Sequence, residues 1–122
     1  LLIGFLGGGY SSDSYSTTMY FNQIVDGDNN NRLFTIRSFQ GKRTESLKAS
    51  EARGILFSGI TGSGEMKFRL KSPEGEKIFS TIILPDIESA ETIPGPWKAG
   101  TYSYELKAKE SREVRIELVF KR

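Results

Sequence analysis

Side chains able to do acid–base or nucleophilic chemistry are few in this chain, and what is missing narrows the reaction classes first. Histidine and cysteine are both absent. Without His no side chain has an unperturbed pKa near neutrality, the usual general base and metal ligand is gone, and a Ser-His-Asp arrangement is excluded. Without Cys there is no disulfide, thiol nucleophile or cysteinyl metal site. Carboxylates do come in close pairs, Glu74 with Glu76, Glu88 with Glu91 and Glu110 with Glu113, which is the equipment of a glycoside hydrolase. Each pair lies in or beside a turn, where acids are ordinarily solvated, and a small β domain lacks the deep cleft such catalysis needs. Asp26, Asp28 and Asn30 have the alternate spacing of calcium ligands, but Asn31 stands where the turn glycine belongs and Arg37 where the bidentate Glu is needed. No catalytic residue, metal site or cofactor is assigned, and the sequence reads as that of a non-enzyme.

Binding chemistry is carried by aromatics. Trp97 is the single tryptophan and leads the run Trp97-Lys98-Ala99-Gly100-Thr101-Tyr102. One role for it is packing, as a plug at the end of the fold. The other is a platform on which a sugar ring stacks, with Tyr102 or Tyr104 beside it, as in a carbohydrate-binding module. Tyr10, Tyr15 and Tyr20 form a second set in a polar stretch, either part of a tether or a grip on a partner. The net charge is only +2, and Lys and Arg alternate with Glu, so nucleic acid is not an expected partner. Lys107, Lys109, Arg112, Arg115, Lys121 and Arg122 with Glu105, Glu110, Glu113 and Glu117 read as a solvated face held by cross-strand ion pairs. A cationic patch for acidic wall polymers or lipid headgroups has little support from that net charge.

The elements that must position these residues have a period of two. Tyr102, Tyr104, Leu106 and Ala108 alternate with polar residues, and Val114, Ile116, Leu118 and Phe120 do the same, predicting two strands joined by a polar turn. TTMYFNQIV and RLFTIRSF predict a hairpin around the Asp26–Asn31 turn, and Gly41-Lys42-Arg43 a further turn. Ile55 to Ile60 reads as a covered strand, Met66, Phe68 and Leu70 as alternate positions of another, and Ser72-Pro73-Glu74-Gly75 as a type I turn leading into EKIFSTIIL. Asp86 to Trp97, interrupted by prolines, reads as a loop crossing between sheets with a short helical turn near Ile87 to Glu91. The fold class expected is all-β, an antiparallel β-sandwich of about eight strands with Greek-key or jelly-roll connections. At 122 residues it forms one domain over 17–122, preceded by an apolar, Ser-rich tail or tether over 1–16.

That tail differs in kind from the rest, because no Lys or Arg precedes Arg32. Leu1 to Leu6 is too short to span a bilayer and reads as the end of a secretory h-region in a longer precursor. Leu6-Gly7-Gly8 followed by a polar tether resembles the lipobox of bacterial lipoproteins, although Gly9 stands where the lipidated Cys would be. From Glu45 onward, the glycine-flanked apolar strand, the S-P-x-G turn and the Trp-Lys-Ala-Gly-Thr-Tyr corner resemble small β-sandwich modules of bacterial envelope lipoproteins and, more distantly, GOLD-type sandwiches. The resemblance implies an extracytoplasmic, cell-envelope location and binding to a protein or envelope component, with membrane attachment only through a lipid anchor if native residue 9 is Cys. It carries over no functional residues. An alternative expectation is a filament or assembly subunit whose Leu1, Leu2, Ile3, Phe5 and Leu6 add a strand to another copy.

Overall fold

In the computed structural model, residues 14–25 and 27–122 are described. The lipobox-like run, the apolar Leu1–Leu6 segment and Tyr10 lie outside them. The described chain folds into seven antiparallel strands: β1 (Ser14–Val25), β2 (Asp28–Ala49), β3 (Ala52–Ile60), β4 (Met66–Lys71), β5 (Lys77–Ile83), β6 (Ser89–Trp97) and β7 (Gly100–Lys121). Strand β1 begins at Ser14, inside the stretch expected to be tether, and pairs with β2 from Ser14↔Lys42 onward.

The frame is a ribbon of two 22-residue strands, β2 and β7, paired from Asn31↔Val119 to Ala49↔Gly100. The ribbon bends in the middle and so serves both layers of a sandwich. Residues 41–49 and 100–108 join β4 and β5 in a four-stranded layer, while residues 31–39 and 111–121 join β1, β3 and β6 in a five-stranded one. The two apolar runs of the C-terminal segment therefore do not form a hairpin. They are one strand, and each half pairs with β2 instead of with the other. The bend is made where the β2 register shifts between Phe39 and Gly41 and where Glu113 takes φ 52. Ser111, buried at this corner, donates to the Glu65 carbonyl at 2.7 Å, and Arg112 N–H donates to the Ser63 carbonyl at 2.9 Å. The turn expected at Gly41 is thus a bulge within β2.

Strand alternation fills the space between the layers with rings. Phe57 of β3 meets Phe68 of β4 at 4.9 Å, Phe34 meets Tyr104 at 4.9 Å, and Tyr102 meets Phe120 at 4.8 Å, each pair joining one layer to the other. The Ser72–Gly75 turn forms as expected, with Gly75 N–H donating to the Ser72 carbonyl at 2.9 Å. The expected loop over Asp86 to Trp97 is instead mostly strand. Residues from Ser89 pair with β3, and Pro94 and Pro96 are tolerated because β6 is an edge strand with one side unpaired.

Candidate binding groove at Trp97

Trp97 ends β6 and Gly100 opens β7, so the aromatic corner is the tight connection by which the chain changes layer. Three contacts hold it. The Trp97 indole N–H donates to the Ile93 carbonyl at 3.4 Å, and the Tyr102 hydroxyl donates to the Lys98 carbonyl at 2.5 Å. The Lys98 ammonium pairs with the Glu74 carboxylate on the β4–β5 turn, and this bond holds the Glu74 carboxyl below its ordinary pKa. Pro73 of the same turn lies against Gly100, where a β-carbon would strike it.

Trp97 registers with Ala52, the first residue of β3. Its half-buried indole packs on the edge of the core and forms one wall of an open groove of about 780 Å³. Ser50, Glu51, Arg53, Pro96 and Arg122 supply much of the remaining lining. Arg53 donates from its guanidinium to the Arg122 carbonyl at 2.8 Å. The rim is fixed from below by Asn30, which is buried: Ser50 N–H donates to its Oδ1 at 2.9 Å, and its amide donates to the Phe120 carbonyl at 3.0 Å. The calcium-like triplet is thus broken at Asn30, whose side-chain oxygen is occupied by a backbone donor. Among the described residues no three acidic groups are gathered as a metal site.

The structure separates the three aromatics expected together. Tyr102 and Tyr104 are 0% and 1% exposed, so neither offers a ring face to a ligand. Tyr102 packs on Phe120, and Tyr104 lies between Phe34 and Phe68, its hydroxyl 3.0 Å from that of Tyr20 and accepting from the Asn22 amide at 3.4 Å. Burial raises the phenol pKa of Tyr20, Tyr102 and Tyr104. Tyr15 is a strand residue, stacked on Phe39 at 6.1 Å under the Arg43 guanidinium. Glu51, Arg53 and Arg122 were not foreseen at the site, because nothing local in the sequence reports that Ala52 faces Trp97. The carboxylate pairs do not converge on it either: Glu74 is held by Lys98, Glu88 accepts from the Ser58 hydroxyl at 2.6 Å, and Glu110 pairs with Arg112 at 2.8 Å.

No protein-family model and no curated sequence matches the chain. Among solved structures it is similar to the carbohydrate-binding module TmCBM61 in complex with β-1,4-galactotriose, with 10% identity, a TM-score of 0.43, and coverage of 90% of this chain and 86% of that one. It is also similar to part of CapF, solved with the inhibitor 3-isopropenyl-tropolone, with 12% identity, a TM-score of 0.34, and coverage of 84% of this chain and 30% of that one.

Proposed function

We propose that this chain is a non-catalytic binding domain of the bacterial cell envelope that takes a carbohydrate chain in the groove at Trp97. The observation that carries this is the state of Trp97 itself: its indole is anchored by the Ile93 carbonyl and by the core beneath, yet it walls an open groove. An immobile aromatic surface gives the C–H face of a sugar a platform without an ordering cost on the protein side. Glu51, Arg53 and Ser50 around it are donors and acceptors of the kind that orient hydroxyl groups. The absence of His and Cys and the dispersal of the carboxylates favour binding over turnover. The envelope location is supported by the lipobox-like Leu6-Gly7-Gly8 run, and it predicts a coding region with a basic leader segment and Cys at position 9.

The test is isothermal titration of the whole chain with a panel of neutral envelope and plant oligosaccharides. Binding to at least one glycan is expected, with loss in Trp97→Ala and retention in Tyr102→Phe. A Trp97→Ala variant that keeps its melting temperature and binds equally well would remove the groove from the account.

A second reading, self-assembly by strand addition, is favoured by one observation. β1 is an edge strand, and Met19 and Phe21 on it are 55% and 49% exposed. Light scattering of the chain with and without residues 1–9 tests it: equal mass for the two rejects assembly through that segment.

A further inference from the structure

The outer face of the four-stranded layer carries an arrangement that sheet energetics disfavour. Leu106 and Phe68 point into the core, so the residues beside them, Lys107 and Lys67, point out. Lys107 registers with Lys42 of β2 on one side and with Lys67 of β4 on the other, placing three ammonium-bearing residues in one row across three strands. Neighbouring strands lie ~4.8 Å apart, so the row spans roughly 10 Å. Like charges directly opposite one another destabilise a sheet. Lys42 is relieved by Glu105 at 3.5 Å, while Lys67 and Lys107 make no ion pair among the described residues.

The surroundings extend the row. It lines an open groove of about 750 Å³ that also takes in Lys109, and the acids among its described lining residues are Glu65 and Glu110, the latter engaged by Arg112. A hollow of about 210 Å³ adjoins it at Lys42, Arg69 and Lys71. There the Nε of Arg69 is shielded from solvent and has no hydrogen-bond partner. This face shares no lining residue with the Trp97 groove.

We propose that this row is a second binding site, taking a linear acidic polysaccharide laid across β2, β7 and β4 so that successive anionic groups meet Lys42, Lys107 and Lys67. The row is too long for a single small anion. Among the described residues no aromatic ring lines the groove, which leaves nucleic-acid bases without a stacking platform. The large apolar side chain among the described lining residues, Ile82, is not the Trp, Phe and Leu set that seats a protein in a lipid interface.

The test uses the whole chain, with heparin and polygalacturonate as sulfated and carboxylated probes, titrated over a range of NaCl. Wild type is expected to bind with an affinity that falls linearly on a log–log salt plot. Combined Lys42→Gln, Lys67→Gln and Lys107→Gln should weaken binding about tenfold or more and reduce the slope by roughly three. The same charge removed from the five-stranded layer, by Arg37→Gln, Arg115→Gln and Lys121→Gln, should leave most of the binding intact. In wild type, both probes should shield Lys67 and Lys107 from acetylation as read by mass spectrometry, which needs no variant to fold. No binding to either polymer, equal losses from the two triple variants, unshielded lysines, or binding confined to anionic vesicles or single-stranded DNA would each overturn the proposal.

Discussion

Asn30 shows how one amide can decide whether a rim is rigid. Its side chain sits between two backbone segments, accepting from Ser50 N–H and donating to the Phe120 carbonyl. Asn30→Ala strands the buried Phe120 carbonyl and the partly buried Ser50 N–H and is expected to lower stability by about 1–3 kcal/mol, and Asn30→Asp by more, since it turns a carboxylate toward a carbonyl oxygen. Equilibrium urea unfolding measures both, and a loss below about 0.5 kcal/mol in the alanine variant would show that the rim is held otherwise. Tyr104 carries the largest part of an alkaline pH response that Tyr20 and Tyr102 share. Burial first, then its Tyr20 neighbour, raises its pKa above the unfolded value of about 10, so the neutral phenol contributes stability that is complete below pH ~10 and lost as pH rises through the folded pKa. With no histidine to titrate, unfolding midpoints should be level from about pH 7 to 9 and fall beyond 10. Tyr104→Phe should fall less steeply while losing about 1 kcal/mol at neutral pH. An unchanged alkaline slope would place the response in other groups.

At the scale of elements, the bent β2–β7 ribbon is the feature on which both grooves depend. Gly41 sits in its bulge at φ 107, and a β-carbon there would run into the Ser14 carbonyl of β1. Gly41→Ala is expected to unpair the start of β1 and cost more than about 2 kcal/mol, whereas Gly75→Ala, where a β-carbon meets open space, should cost about 1 kcal/mol or less from its positive φ alone. Amide hydrogen exchange over 14–18 reads the difference, and full protection there in Gly41→Ala would contradict it. Much of this architecture was legible beforehand. The alternation of Tyr102, Tyr104 and Leu106, and of Val114, Ile116 and Leu118, reports a buried face whatever the pairing. What alternation cannot report is the pairing partner. Two strands with a polar interval look the same in sequence as one strand bent at Ser111 to Glu113, and prolines that end a central strand are harmless in an edge strand such as β6. The same blindness hid the lysine row. Lys42, Lys67 and Lys107 each have mixed-charge neighbours in sequence, and they become one patch only through register between strands far apart in the chain.

For the whole molecule, the two layers present distinct surfaces: a cationic face on the four-stranded layer, and an edge at β1 where Met19 and Phe21 stand exposed. Phe21→Lys is expected to reduce any concentration-dependent self-association without lowering the melting temperature, because that ring contributes no core contact. Glycan capture is assigned to the groove at Trp97, at the end of the sandwich and on the side of β6, the edge opposite β1. Trp97 is the single tryptophan, so its fluorescence reports that groove alone. Acrylamide quenching measured with and without a saturating oligosaccharide tests the claim most directly. A half-exposed emission maximum, quenching in the free protein and shielding by the glycan are predicted; quenching that no oligosaccharide alters would contradict it.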